Sequence, residues 1–540
     1  MLAKVKLMRL MLSRRQIWWL ETAVIIVLTI VPLLSSFPYR INIFLTWEGA
    51  YRLYLGQIPF KDFKLPMGYA FWVIPALFFK FFGPFLITLV KAQVLINIIS
   101  GLSFRSILKS FRINPGLRLV SVLLFCVSYS FFNFWPWYNH TVIVFELVGL
   151  SFLLKYILRK QTSFSSFAYL SLSTFFLFAS FFTKQDGGGL AFMLAFFLVV
   201  YHAIVDKKYV DIGWFLLSYG IWGLIFVLPL LEYDFGYWFN LGQEPHNSRI
   251  QLWDFVTVGL RESTWEKFYL GILIIIFLTK LDSLTSFFKD KTAFLFYLFT
   301  LGILVQALIF QVTSYTPPNN NIFFHSFAFA YILSLTNYSH QLMRLSHLAV
   351  LSLVVLLWWS GTYWKYIDRK ITRLFPAMLQ VDEDKISRST YVVAKNSDNI
   401  NMAQWAFSDA EAFQKIYMPE PTVQGIDRIL AMDIVQRENV KVLNMTELTP
   451  LAYEIGYEPE KDKPLWYHKG VGIFQGEIDT YVSEISQGKY DVVLFEVIPY
   501  LNNFFPNEIR EALQQHYHLQ DRFLAPRRPT DSHIEVYVKQ

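Results

Sequence analysis

Along the first 364 residues, apolar runs alternate with short basic loops. Most runs approach the ~20 residues a helix needs to cross ~30 Å of hydrocarbon at ~1.5 Å per residue. Runs at about 17–36, 84–104, 117–134, 140–158, 164–182, 188–205, 212–231, 268–285, 292–312, 322–336 and 346–364 give about 11 spans. The fold class this pattern allows is a polytopic α-helical membrane protein. Composition agrees: 54% hydrophobic residues, 18% aromatic residues and a mean hydropathy of +0.37 exclude an ordinary soluble chain. The single cysteine, Cys126, lies inside an apolar run, which rules out an internal disulfide or a cysteine metal site.

A net charge of +7 would suggest nucleic acid in a soluble protein. Here the lysines and arginines gather in alternate short loops, as the positive-inside rule requires, and no nucleic-acid partner is implied. Lys4, Lys6, Arg9, Arg14 and Arg15 precede the first run, which no small-residue cleavage site follows. It reads as a retained anchor with a cytoplasmic N-terminus. An odd number of spans then puts residues 365–540 outside the cytoplasm, with 1–364 as the membrane domain and 37–83 as its first external loop. The apolar stretch 69–82, short and broken by Pro75, reads as an interfacial helix.

The first loop carries two acids in the segment TWEGAYRLYLGQIPFKDFKLPMG, Thr46–Gly68. Trp47, Tyr51 and Tyr54 recur at helical spacing and predict an aromatic face along the membrane–water interface. Glu48 and Arg52, four apart, fall together on a neighbouring face. Gly56 ends the helix and Pro59 prevents its resumption, so Asp62 returns across a turn towards Glu48.

This pattern of acid, Gly, x, Tyr, then Gly, Asp-Phe and Pro-x-Gly resembles the first external loop of bacterial membrane glycosyltransferases of the C-type fold. The group includes protein O-mannosyltransferase-like and aminoarabinose-transferase-like enzymes. The resemblance covers roughly residues 15–200 as a pattern of spans and loops. It implies a C-type glycosyltransferase fold and transfer of a sugar from a polyprenyl-phosphate donor, with inversion, to a glycan, lipid or protein acceptor outside the cytoplasm. Many members carry an Asp-Glu pair at this place; here the pair is Trp47-Glu48, so Glu48 matches the second acid and the first is absent.

Such a transfer needs a base for the acceptor and a cation for the departing phosphate. Glu48 is the candidate base, set against the bland reading of a surface ion pair with Arg52. Asp62 is the second acid, set against ordinary loop chemistry. Lys184, in Thr183-Lys-Gln-Asp-Gly-Gly-Gly189 at the outer end of a span, is the candidate phosphate ligand, with Gln185 and Arg52 as further donors. The alternative there is a turn whose Lys184 and Asp186 neutralise each other. His140, His325 and Tyr51 are candidates to line the cavity. The cofactor is open: a divalent metal is possible, and Glu48 and Asp62 would be its ligands.

Residues 365–540 are charged, and their hydrophobic runs are too short to span. Tyr391–Ala394, Val440–Leu443, Asp491–Val497 and Ile534–Val538 predict strands, and 423–437, 479–487 and 506–517 predict helices. The alternation gives a small α/β domain without a nucleotide-binding fingerprint. Two functions remain open, the glycosyltransferase and a membrane transporter or lipid flippase. The latter would place its polar groups near mid-membrane and usually repeat its halves.

Overall fold

The computed structural model describes residues 10–39, 43–159, 163–239, 252–314, 323–374, 405–499, 504–526 and 532–539. Among the described residues, seven helices are long and apolar enough to cross a membrane: Arg14–Leu34, Leu86–Ser110, Tyr138–Leu158, Phe164–Phe181, Gln185–Asp206, Val210–Leu230 and Lys291–Ser314. An eighth candidate, Thr264–Leu278 with Leu281–Lys289, bends by 55° at its break. Pro115–Ser128, Phe324–Ser334 and Leu345–Trp358 are shorter apolar helices at three of the expected spans.

In chain order the helices used below are α1 (Arg14–Ile30), α2 (Ile43–Tyr54), α3 (Ala70–Phe82), α4 (Leu86–Ser110), α5 (Pro115–Ser128), α6 (Tyr138–Leu158), α7 (Ser163–Phe181), α8 (Gln185–Asp206), α9 (Thr264–Leu278), α10 (Lys291–Ser314), α11 (Phe324–Ser334) and α12 (Tyr338–Gln341). Local chemistry sets their ends. Ser13 and Gln16 form a reciprocal capping box at the start of α1. Asn114 caps α5, and Pro115 occupies a first-turn position where its missing N–H costs nothing. Within the bundle, Arg118 of α5 reaches Glu21 of α1 at 2.7 Å, a buried pair that fixes the two helices against each other. Helix α3 buries Phe71, Trp72 and Phe79 and turns Leu77 and Phe81 outward, the one-sided form expected of an interfacial helix.

The C-terminal region is α/β, as its alternating pattern predicts. Strands β5 (Val442–Met445), β7 (Val492–Val497), β9 (His533–Lys539) and β8 (Tyr517–Leu524) form a sheet in that order, with β5 and β7 parallel and the other pairs antiparallel. Helices Glu420–Leu430, Gln475–Ser486 and Asn507–His516 accompany it, close to the expected positions. The expected strand Tyr391–Ala394 lies outside the described residues.

The loop after the first span, residues 37–83, is woven into this region. Strand β1 (Phe37–Pro38) pairs in parallel with β4 (Ile416–Pro419), which β3 (Trp405–Phe407) flanks on its other edge. Strand β2 (Phe63–Lys64) pairs in parallel with β6 (Lys463–Pro464). One hydrophobic core runs through both parts, joining Trp47, Phe63 and Trp72 of the loop to Ile416, Leu465 and Tyr481. This corrects the expected interfacial aromatic face. Trp47 is fully buried, Tyr51 stacks on it with centroids 4.5 Å apart, and Tyr54 stacks on Tyr51 at 5.9 Å. The C-terminal region supplies apolar surface for these rings, and burial against protein wins over the headgroup level.

Candidate active site

The helical spacing of Glu48 and Arg52 brings them into contact. Arg52 donates to Glu48 Oε1 from Nε at 3.0 Å and from a terminal nitrogen at 2.9 Å. It also reaches Gln57 Oε1 at 3.0 Å and the Glu460 carbonyl at 2.9 Å, while Gln57 donates to the Pro459 carbonyl at 2.9 Å. The pair is therefore not a surface ion pair: Glu48 is 6% and Arg52 2% exposed. Burial, the largest influence, pushes the Glu48 carboxyl above its ordinary value against the pull of Arg52. A small cavity adjoins the pair, walled by Tyr457, Tyr467, Tyr481 and Lys463 of the C-terminal region. The hydrogen bonds of Arg52 are thus taken up by Glu48, by Gln57 and by the Glu460 carbonyl of that region, which leaves its guanidinium poorly placed for a donor phosphate.

Asp62 does not meet Glu48 across the turn. Its Oδ2 accepts from the Ile58 backbone N–H at 2.7 Å, closing the turn after Gly56, and its Oδ1 lies 4.0 Å from Lys461. Among the described residues no group of three or more His, Cys, Asp or Glu is placed to hold a metal ion, and the two acids keep separate partners. Lys64, two residues on, bridges Asp234 at 2.7 Å and Asp462 at 3.4 Å. That contact ties the loop to a membrane-domain turn and to the C-terminal region at once.

The second candidate stretch forms a corner at the start of α8. Lys184 donates to Asp186 Oδ2 at 3.0 Å and to Ser314 Oγ at the end of α10, and its ammonium lies 4.7 Å from the centroid of Phe310. Ser314 in turn donates to Asp186 at 3.1 Å, and Gly187 N–H donates to the other Asp186 oxygen at 2.7 Å. Gln185 reaches the Trp238 carbonyl at 2.8 Å and the Pro66 carbonyl at 3.4 Å, so the first loop's return segment closes over this corner. Two of the three glycines that follow are closely packed. A Cβ on Gly188 would fall 2.1 Å from the Phe181 Cα, and one on Gly187 would fall 2.7 Å from the Phe310 ring. Both glycines serve helix packing, and Gly189 alone of the three faces open space.

His140 and His325 are both buried inside the bundle. Gln93 of α4 lies 3.2 Å from His140 Nδ1 and donates to Asn97 at 2.8 Å, while His140 Nε2 has no partner. His325 takes a hydrogen bond with Tyr269 at 3.0 Å and stacks on Phe324. Tyr51 belongs to the core stack rather than to a cavity wall. Glu146, buried on α6, escaped the sequence reading. The signal that could have found it is a lone carboxylate inside an apolar span.

No protein-family model and no curated protein matches this chain. Its architecture is nevertheless a known one, the C-type glycosyltransferase fold of a multi-pass membrane protein. The chain is similar to the crystal structure of ArnT from Cupriavidus metallidurans in the apo state, with a TM-score of 0.52 at 11% identity, covering 96% of this chain and 97% of that one. The crystal structure of ArnT from the same organism bound to undecaprenyl phosphate aligns over the same shares at 12% identity and a TM-score of 0.49. At such identities the likeness is one of fold.

Proposed function

We propose that the chain is an integral-membrane glycosyltransferase that moves a sugar from a polyprenyl-phosphate donor to a glycan, lipid or protein acceptor outside the cytoplasm. What carries this reading is the corner where Lys184, Asp186 and Ser314 meet beneath the Pro66 segment of the first loop. Lys184 supplies a positive charge at the N-terminal end of a 22-residue helix, where the backbone dipole also favours an anion. Asp186 and Ser314 orient the ammonium. A departing phosphate needs such stabilisation more than it needs a proton donor.

An inverting displacement puts base and leaving group on opposite faces of the sugar. Asp186, bound to Lys184, is on the phosphate side, so the base comes from the first loop. Of its two acids, Asp62 is the one outside a buried ion pair and takes the base role in this proposal. Glu48, through Arg52, positions the loop. A transporter or flippase is the second reading, favoured by Glu146 within an apolar span.

Mass spectrometry of lipids that co-purify with the protein, paired with a transfer assay, tests the proposal. Lys184→Ala should weaken donor binding by about 1–3 kcal/mol. Asp62→Asn should lower turnover on the order of 10²–10⁴-fold with donor binding kept. Parental turnover in Asp62→Asn would remove the base assignment. Failure of any polyprenyl phosphate to bind, with solute or lipid counterflow in reconstituted vesicles, would replace the whole reading by transport.

A further inference from the structure

A second site lies at the other end of the bundle. Helix α10 runs 24 residues from Lys291 to Ser314, so its first turn is ~36 Å from the Lys184 corner. Around that first turn opens a cavity of about 730 Å³, bounded by the start of α1, the α4–α5 corner, the break after α9, and the ends of α11 and α12. Among the described residues, Arg14, Arg112, Lys280 and His340 line it, against a single carboxylate, Asp290. Asp290 is itself engaged in capping α10, accepting from Ala293 N–H at 3.1 Å. Arg14, Arg112 and Lys280 form no ion pair among the described residues, unlike Arg118 or Lys291 close by.

The wall below these cations is aromatic. Phe111 stacks on Phe296 with centroids 4.5 Å apart, and Tyr331 meets Phe296 edge-on at 5.1 Å. Arg112 also occupies a backbone position that favours glycine. Its φ is +58°, and it closes α4 with Arg112 N–H to Lys109 O and Ile113 N–H to Leu108 O, both 3.1 Å. The helix terminus is therefore built with a guanidinium where the backbone alone would favour Gly or Asn.

Unpaired cations over an apolar wall, at the end of a membrane bundle, match an amphiphile with an anionic head. Guanidinium groups suit phosphate oxygens, and basic pockets between spans at the cytoplasmic leaflet hold phosphate-bearing headgroups. We infer that this cavity binds a phosphate group, carried by an anionic phospholipid of the leaflet that faces the N-terminus. The site is separate from the proposed donor corner.

The test uses the full-length protein in detergent, titrated with phosphatidylglycerol, with phosphatidylcholine and with inorganic phosphate while its melting temperature is followed. Phosphatidylglycerol should raise the parental melting temperature and phosphatidylcholine should not. In Arg112→Gln/Lys280→Gln the concentration giving half the shift should rise at least fivefold. Asp290→Asn keeps a capping side chain and removes the negative charge, so it should lower that concentration, which keeps the test decisive if the double variant fails to fold. Saturation by inorganic phosphate at similar concentrations, lost in the double variant, would keep the phosphate site and assign it to a soluble anion. Equal response of parent and both variants to phosphatidylglycerol would overturn the site and leave only annular lipid.

Discussion

Arg52 holds Glu48 by two hydrogen bonds to one carboxylate oxygen, and its remaining bonds go to Gln57 and to the Glu460 carbonyl across the junction. The pair is therefore a fastening between the first loop and the C-terminal region. Removing one member of a buried pair strands the other's charge, at a cost of about 3–5 kcal/mol, whereas replacing both with apolar groups of similar size is often neutral. Glu48→Ala should accordingly melt well below the parent, and Glu48→Leu/Arg52→Met should recover most of the loss. Thermal melts in one detergent decide this; a Glu48→Ala protein as stable as the parent would return Glu48 to the list of candidate bases.

Close packing at Gly68 makes a sharper demand. A Cβ there would sit 1.4 Å from the Phe182 carbonyl oxygen, so Gly68→Ala has to move the first loop away from the end of α7. A displacement of ~1 Å in a positioning segment can cost ~10²-fold in rate. Transfer activity should fall by that order, while Gly189→Ala, which meets nothing within 4 Å, should be neutral or slightly stabilising. Equal activity in both variants would show that the loop's approach to α7 is dispensable.

Acid should loosen the C-terminal region first. Glu484 accepts from Lys463 at 2.8 Å, Lys489 at 2.9 Å and Tyr490 at 2.6 Å, and Glu535 is held by both arms of Arg510. Burial acts to raise both carboxyls, but it is outweighed by these hydrogen bonds, which hold Glu484 and Glu535 below the ordinary carboxylate range. A depressed folded value gives stability that is present above the unfolded value of ~4.3 and is lost as pH falls through the folded value. The contribution of these two carboxylates to the melting temperature should be constant from neutrality down to about pH 5 and then fall. Glu484→Gln should flatten part of that drop.

The charge bias of the loops gives an orientation that a fusion can read. A reporter active only in the cytoplasm, placed after Gln540, should be silent. Strong activity there would invert the bundle and with it both proposed sites.

Much of this architecture is written locally. Spans show as apolar runs, the Glu48–Arg52 contact follows from helical spacing, and β5, β7 and β9 stand out as short hydrophobic runs between amphipathic helices. Strand β8 escaped notice because Tyr517–Leu524 is an edge strand with mostly polar, solvent-facing residues, including Gln520, Asp521 and Arg522. The aromatic face of α2 was legible, but its destination was not. A stripe of rings looks the same whether lipid or protein covers it, and the covering surface lies hundreds of residues away. The Lys184 corner was half legible for the same reason, since Asp186 is local and Ser314 is supplied by another helix.

The parallel pairings of Phe37 with Ile416 and of Phe63 with Lys463 also impose an order of assembly. The first loop leaves the ribosome before almost all of the chain that will pair with it, and at ~5–20 residues per second its two strand edges stay open on the order of tens of seconds. During that interval the membrane helices can already be inserted while Trp47, Phe63 and Trp72 still lack their covering surface. The last region to be made is therefore what completes the loop, and a ribosome stalled before Ile416 would yield an inserted bundle with exposed aromatic surface, a ready substrate for proteolysis.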